Sequence, residues 1–126
     1  MPDRNKILIV EDEPLVAMHL EAELEALGYE ILGIAVSAEE AANLTEQEPP
    51  GLALVDINIR GDRDGVAVAD ELNKKFATQV IFMSGMGKSD PTRRGRSVTP
   101  LANLPKPWTG GELERVVKLS SVKASS

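Results

Sequence analysis

Four short apolar runs, each followed at once by a charged or hydroxyl side chain, constrain the fold of this chain more than any other feature. Apolar runs of four or five residues bounded by polar ones are typical of buried strands. The runs and the residues after them are 7–10 with Glu11 and Asp12, 52–55 with Asp56, 80–83 with Ser84, and 101–105 with Lys106. If the runs are parallel strands, their carboxyl ends lie side by side, at the edge where open α/β sheets place ligands.

Segments of helical periodicity alternate with the apolar runs, and this alternation predicts βαβ units and a parallel sheet. A first helix is expected from near Pro14 to just before Gly28, because proline suits a first helical turn and glycine suits the end of a helix. Its predicted buried stripe is Val16, Leu20, Leu24 and Leu27. A second, weaker strand is expected over residues 31–36.

Capping signals and periodicity predict three further helices. Ser37 with Glu40 matches a capping box, so a second helix should begin there and end near Gln47. Thr109 with Glu112 matches another box at the start of a final helix. The apolar residues that mark the third helix and the final helix are Val68, Leu72 and Phe76, and Leu113, Val116 and Val117.

Two segments depart from this alternation of strands and helices. The segment from Gly85 to Pro100 should form a loop or at most one short turn of helix, because only Met86 and Val98 in it are strongly apolar. Its glycines and its proline also oppose helix. The tail from Ser120 is polar and is expected to be frayed. We expect a single domain over residues 1–126 with a core of about 5–119.

Composition excludes several classes of function. The 14 basic and 20 acidic residues give a formal charge of −6, which opposes nucleic acid and anionic membranes over the surface as a whole. The chain has no cysteine, so disulfides and thiolate metal sites are excluded and any metal must be held by oxygen ligands. The apolar runs are too short for a signal peptide or a membrane span, so we expect a cytoplasmic protein.

Phosphoryl transfer is the chemistry that fits the predicted sheet edge. Mg²⁺ takes oxygen ligands and usually shares a few carboxylates with a phosphate, and Glu11, Asp12 and Asp56 offer such a set. Aspartate accepts phosphate covalently when cations offset the repulsion, as Lys106 and a metal would. Ser84 can donate a hydrogen bond to a phosphoryl oxygen. Taken alone, Glu11 and Asp12 could equally complement the dipole of the first helix, and Ser84 and Lys106 could be ordinary turn and surface residues.

With these motifs the chain resembles the receiver domain of bacterial two-component response regulators. The motifs stand in family order over nearly the whole chain: residues 7–14, Asp56 with a glycine loop behind it, Ser84, and Lys106 with Pro107. The resemblance implies a flavodoxin-like α/β fold, a doubly wound sheet of five parallel strands in the order 2-1-3-4-5. The irregular fourth helix is similar to that of some alphaproteobacterial single-domain receivers.

The resemblance also implies a phosphoacceptor and a metal site. Asp56 would accept the phosphoryl group, and Glu11 and Asp12 would be the acidic pair that holds Mg²⁺. Asp12 and Asp56 are the expected direct ligands, and Glu11 would act through water. Asn58, two residues past the acceptor, would lend its backbone carbonyl to the metal.

Further roles follow from the same resemblance. Ser84 would be the switch hydroxyl, Lys106 would bind the phosphoryl group, and the peptide bond before Pro107 would be cis. Receivers commonly dock their phosphodonor on the first helix, where Leu15 and Met18 fall outside the buried stripe. The expected donor is a histidine kinase or a phosphotransfer protein, and the phosphorylated chain would act on a downstream protein or serve as a phosphate sink. No enzymatic activity of its own and no attached output domain are expected.

Two departures from the family pattern bear on switching. Asn103 stands where the family usually carries the aromatic residue that rotates upon activation, so the usual coupling between hydroxyl and aromatic ring is in doubt. The loop between Asp56 and Gly65 is one residue longer than the common pattern and lacks its usual proline.

Two alternative functions remain open at this level. A phosphatase of the haloacid dehalogenase type also uses an aspartyl phosphate, Mg²⁺, a hydroxyl and a lysine, but it carries its nucleophile on the first strand in an Asp-x-Asp motif. Here the pair Glu11 and Asp12 is adjacent, and Asn58 replaces the second acid after Asp56. A degenerate receiver that binds partners without phosphate is the other alternative, and the intact set of site residues argues against it.

Overall fold

The computed structural model describes residues 5–59, 61, 64–85 and 98–125. In this part of the chain the strands are β1 (Lys6–Val10), β2 (Glu30–Ala35), β3 (Leu52–Asp56), β4 (Gln79–Gly85) and β5 (Ala102–Lys106). They form one sheet in the order β2-β1-β3-β4-β5, and every neighbouring pair is parallel. The predicted fold and strand order are therefore confirmed.

The helices of the described residues pack on both faces of the sheet. They are α1 (Pro14–Ala26), α2 (Ala38–Gln47), α3 (Gly65–Phe76) and α4 (Gly110–Val117). Helices α1, α2 and α3 each connect two successive strands, and α4 follows β5. Among the described residues, no helix has the length and apolar character needed to cross a membrane.

The strands divide their side chains between two apolar layers, because successive side chains of a strand point to opposite faces. Ile7 and Ile9 lie in the layer that α1 and α4 cover. Leu8 and Val10 lie in the layer that α2 and α3 cover. All four are fully buried. Burial on both faces explains why the central strands β1, β3 and β4 appear in the sequence as continuous apolar runs.

The buried face of α1 differs by one position from the predicted stripe. Ala17, Leu20 and Leu24 are buried, whereas Val16 is only half-buried. The prediction for Val16 was wrong because helical spacing identifies a face only to within about one residue, and the small Ala17 lets α1 lie close to the sheet. Leu27 packs against this layer just beyond the helix, and Gly28 has a φ of 95°, the left-handed conformation that glycine tolerates.

The capping predictions agree with the structure in most details. In the final helix, Thr109 accepts a hydrogen bond from the Glu112 backbone N–H, and the Glu112 carboxylate accepts one from Thr109 N. At α2, Ser37 accepts from Glu40 N, but the Glu40 carboxylate accepts from Val36 N, one residue earlier than in a capping box. Both helices therefore begin where the sequence predicts.

The prediction of a frayed tail from Ser120 was wrong. Val122 is only 5% exposed and packs in the layer beneath α1 and α4. Lys123 exchanges two hydrogen bonds with the Asn5 side chain, at 2.8 and 3.1 Å. Ser121 donates both its N–H and its hydroxyl to the Gln79 side-chain oxygen. Polar residues of the tail thus bind the amino-terminal ends of β1 and β4, a set of partners distant in sequence.

Most of the segment between Gly85 and Pro100 lies outside the described residues. The prediction that this segment has no regular fourth helix also falls on residues outside the described part of the chain. The described end of this segment returns to the core at Val98, which is buried against the α3 side of the sheet. The Val98 N–H donates to the Asp70 carboxylate of α3 at 2.9 Å. Just before β5, Leu101 N donates a hydrogen bond to Val80 O of β4 at 2.8 Å.

Candidate functional site

Glu11 follows β1 and is completely buried at the carboxyl edge of the sheet. Its backbone N–H donates to Ala35 O at 2.9 Å, which continues the pairing of β1 with β2. One oxygen of its carboxylate, Oε1, accepts a hydrogen bond from Glu13 N at 3.1 Å. The backbone therefore fixes this carboxylate in one orientation.

Asp56 is the last residue of β3 and is only 3% exposed. Its Oδ1 accepts a hydrogen bond from Asn58 N at 2.9 Å. The backbone behind it contacts the first turn of α3, where a Cβ atom built on Gly65 would lie 2.1 Å from the Asp56 carbonyl oxygen. Only glycine fits at residue 65, so Gly65 brings α3 against the candidate acceptor.

Lys106 joins the two buried carboxylates. Its Nζ lies 2.9 Å from Glu11 Oε2 and 3.0 Å from Asp56 Oδ2. Both contacts are charge-assisted hydrogen bonds, which are shorter and stronger than neutral ones. The structure thus brings together residues that are 50 and 95 positions apart in the sequence.

The pKa values in this cluster reflect a balance between burial and charge. Burial raises the pKa of Glu11 above its ordinary value, and the hydrogen bonds from Lys106 and Glu13 only partly offset this effect. Burial by itself would lower the pKa of Lys106, but its hydrogen bonds to Glu11 and Asp56 outweigh burial and raise it. The raised pKa of Lys106 favours the protonated ammonium that bonds both carboxylates.

The carboxylates of Glu11, Asp12 and Asp56 form a group that could hold a metal ion, with one oxygen of each within 4.8 Å of the others. Two of these carboxylates bond Lys106 and Asp12 adds a third close to them, so a divalent cation would offset the repulsion within the cluster. A set made only of oxygen atoms suits a hard cation such as Mg²⁺. Glu11 accepts a hydrogen bond from Glu13 N at the N-cap of α1 and also bonds Lys106, so a role at the helix start alone does not account for its contacts.

The other predicted site residues occupy the expected edge. Ser84 is the penultimate residue of β4, pairs in register with Pro105 and is half-buried. Asn58 donates its N–H to Asp56 and is exposed. The Lys106–Pro107 peptide bond is cis, in agreement with the prediction. The metal-binding role of the Asn58 carbonyl and the switch role of Ser84 stay predictions.

The surface of α1 next to the site is apolar and accessible. Leu15 is 82% exposed and Met18 is 61% exposed, as expected for residues outside the buried stripe. The sequence analysis did not predict that Trp108, which follows β5, contacts α1. Trp108 contacts Glu23 and His19 of this helix. The spacing of His19 and Glu23, four residues on one helix, was a signal for their pairing, but nothing in the sequence connected them to Trp108.

Five parallel strands with a half-buried lysine bridging two buried carboxylates at their carboxyl edge define the site of a receiver. The family model described as response regulator receiver domain matches residues 7–118. The chain belongs to this family.

Three similar proteins illustrate the relationship. The chain is 35% identical to the phyllosphere-induced regulator PhyR of Methylorubrum extorquens over 113 residues, 89% of this chain and 42% of that protein. It is 32% identical to the transcriptional regulatory protein PdtaR of Mycobacterium tuberculosis over 115 residues, 91% of this chain and 56% of that protein. The chain thus spans about half the length of these curated relatives.

The third similarity is to a solved structure. The signal receiver domain of a modulated diguanylate cyclase from Desulfovibrio desulfuricans G20 superposes with a TM-score of 0.84 and 35% sequence identity, covering 91% of each chain. The match covers nearly the whole length of both chains, whereas it covers about half the length of the two curated relatives.

Proposed function

We propose that Asp56 accepts a phosphoryl group from a phosphohistidine in a histidine kinase or phosphotransfer protein, in a reaction that depends on Mg²⁺. The observation that carries the proposal is the Lys106 ammonium, bonded at once to Asp56 and to the fully buried Glu11. A structural salt bridge would not need a third carboxylate, Asp12, close to the two that bond Lys106. The excess of acid is the arrangement that a divalent cation and an incoming phosphoryl group require.

The residues of the chain have distinct tasks in this transfer. Asn58 N and Lys106 hold the Asp56 carboxylate in place through its two oxygens. An Asp56 oxygen forms the new bond to phosphorus, the bond between phosphorus and the donor imidazole nitrogen breaks, and the electron pair stays on that nitrogen. Lys106 then lies beside the added negative charge, and Ser84 supplies a hydroxyl at the end of the neighbouring strand.

Glu11, Asp12, Asp56 and the Asn58 carbonyl would hold the Mg²⁺. When bound, the ion supplies positive charge that offsets the repulsion between the Asp56 carboxylate and the phosphoryl oxygens. Of the three carboxylates, Glu11 and Asp56 are buried and Asp12 is half-buried, so Asp12 is the one most accessible to a hydrated ion. We therefore expect Asp12 to contribute more to metal binding than Glu11, which Lys106 and Glu13 N already engage.

The proposed setting is a two-component pathway in the cytoplasm. The chain takes part in the transfer stoichiometrically and is not proposed to be an enzyme. Its phosphorylated form acts on a downstream protein or drains phosphate from the donor. The names of PhyR and PdtaR, both regulators, support an output through regulation of other proteins or of transcription.

Acetyl phosphate with Mg²⁺ provides the test, because a small donor needs no docking surface. Mass spectrometry of the intact chain should show one labile phosphoryl adduct, which hydroxylamine removes. The adduct should be absent in Asp56→Asn and present in Glu46→Gln, a matched substitution at an exposed position of α2. A parent chain that forms no adduct, or an adduct that survives Asp56→Asn, contradicts the proposal.

A further inference from the structure

The tail after α4, residues 121–125, crosses the amino-terminal edge of the sheet, and its backbone is bound at every second residue. Ser121 N donates a hydrogen bond to the Gln79 side-chain oxygen at 2.8 Å. Lys123 N donates to Asn5 Oδ1 at 2.8 Å, and Lys123 O accepts from Asn5 Nδ2 at 3.1 Å. The Asn5 amide thus bonds both backbone groups of one tail residue, as a residue of an antiparallel strand does.

Gly28, just beyond α1, makes the third contact with the tail backbone. Ser125 N donates a hydrogen bond to Gly28 O at 2.6 Å. A Cβ atom built on Gly28 would lie 2.5 Å from Ser125 O and 3.2 Å from Ala124 Cβ. The lack of a side chain at residue 28 therefore makes room for the tail.

Between these contacts the tail inserts one apolar side chain into the core. Val122 is 5% exposed and packs in the layer that contains Tyr29 and Val117. Ser121 and Lys123, on either side of it, are exposed. Successive side chains of an extended segment point to opposite sides, so the tail presents Val122 to the domain and its neighbours to solvent.

Proteins bind extended peptides through contacts of this kind. Main-chain hydrogen bonds supply affinity, and a pocket for one side chain supplies specificity. The three residues that bind the tail backbone, Asn5, Gly28 and Gln79, are distant from it in sequence. The match to the receiver family covers residues 7–118, so the tail and Asn5 both lie outside it. Membership of the family therefore does not account for this contact.

We propose that Asn5, Gly28, Gln79 and the apolar pocket for Val122 form a peptide-binding slot, the amino-edge slot, and that the tail is its ligand. The slot takes an extended segment with a valine-sized side chain at its second position and small residues where the segment passes Gly28. The tail leaves this slot while the domain stays folded. The slot lies at the opposite edge of the sheet from Asp56, so the proposal does not rest on phosphoryl transfer.

A chain with an emptied slot tests the proposal. Val122→Asp places a carboxylate against the apolar layer, so the tail should leave the amino-edge slot. Lys123→Pro empties the slot in a second way, because proline has no N–H to donate to Asn5. Cooperative thermal unfolding, followed by circular dichroism, shows whether each variant is folded.

The probe is a synthetic peptide with the sequence of residues 119–126, and binding is followed by NMR through the Gly28 and Gln79 amide signals. The Val122→Asp chain should bind it with a Kd of about 1 mM or below, because a tail on a short linker, at millimolar effective concentration, must bind this tightly to be ordered. The parent chain should bind it about tenfold more weakly, because its own tail fills the slot. A peptide that carries Val122→Asp should also bind the emptied chain about tenfold more weakly, because it lacks the apolar side chain.

Two matched pairs test recognition of the backbone. In the Val122→Asp chain, a second substitution Asn5→Ala should weaken peptide binding about fivefold, because two hydrogen bonds are lost. Asn43→Ala removes the same side chain from an exposed position of α2 and should not change binding. Without Val122→Asp, the Lys123→Pro chain should bind the peptide as the emptied chain does. The Lys123→Ala chain should behave like the parent, because the backbone of Lys123 makes the contact with Asn5.

The proposal is overturned if a folded Val122→Asp or Lys123→Pro chain shows no saturable shift of the Gln79 signal up to about 10 mM peptide, well above the effective concentration of the tethered tail. It is also overturned if the parent and Val122→Asp peptides bind the emptied chain equally well. If neither variant folds, the tail is a part of the fold and not a ligand, and the proposal fails in that case too.

Discussion

Replacement of Gly65 by alanine should be the most damaging single-methyl change in the described part of this protein. The added Cβ would lie 2.1 Å from Asp56 O and 2.8 Å from both Asp56 C and Ile57 Cα. Real Cβ atoms essentially never approach closer than 3.0 Å, so α3 and the end of β3 must separate by about 0.9 Å. The obstructing atoms are backbone, and no rotamer change can relieve the contact.

The structure also sets the magnitude of this effect. Overpacking costs about 1–3 kcal/mol, and the upper end is expected where backbone must move. Gly110→Ala and Gly111→Ala are matched controls in the first turn of α4, because neither Cβ would have a neighbour within 4 Å. They should raise the unfolding free energy by up to about 0.5–1 kcal/mol, because alanine has less conformational entropy to lose on folding.

Urea denaturation followed by circular dichroism measures this difference. With a slope of about 1–3 kcal/mol/M, a loss of about 3 kcal/mol lowers the Gly65→Ala midpoint by roughly 1–3 M, while the controls keep or raise theirs. Labelling of Asp56 by acetyl phosphate should also slow in Gly65→Ala alone, because the displaced backbone carries the acceptor. Equal midpoints for Gly65→Ala and Gly111→Ala would refute the close approach of α3 to Asp56.

Three further predictions concern charge and the tail. Asp12→Asn should raise the melting temperature without metal, because oxygens of the three carboxylates lie within 4.8 Å of one another, where two like charges repel by at least about 3.5 kcal/mol at an effective dielectric of about 20, before screening. The same substitution should abolish the rise in melting temperature that Mg²⁺ gives the parent, and an undiminished rise would show that Asp12 is not a ligand. The raised pKa of Lys106 stabilises the fold fully at pH values below the ordinary pKa of 10.5, and this contribution is lost as pH rises through the folded-state pKa. The difference in unfolding free energy between the parent and Lys106→Met should therefore be constant near neutral pH and decrease above pH 10.5. A difference that stays constant up to about pH 12 would contradict the ion pairs. Val122→Ala should lower the unfolding free energy by about 1–2 kcal/mol, because Val122 is only 5% exposed. Leu119 is 57% exposed, so Leu119→Ala should change the unfolding free energy by less than about 0.5 kcal/mol. Equal small effects of the two substitutions in denaturant melts would mean that the tail is frayed.

The amino-acid sequence by itself determined the strands, the helix starts and the reactive residues. The central strands β1, β3 and β4 are buried on both faces, so they appear in the sequence as continuous apolar runs. Helix caps depend on residues only three positions apart. The same local patterns placed Asp56 and Lys106 after strands, and a resemblance to known receivers then supplied the strand order and the roles.

Tertiary structure alone decided the contacts between residues distant in sequence. Lys106 bridges Glu11 and Asp56, Trp108 bonds Glu23, and Val122 is buried although its neighbours are polar. Sequence patterns over a few residues do not predict such contacts, because the stabilising free energy comes from partners that the fold brings near. A polar tail is therefore predicted to be frayed until those partners are known. Local propensity thus determined where each helix and strand begins. Burial and charge pairing between these elements determined which side chains meet in the site.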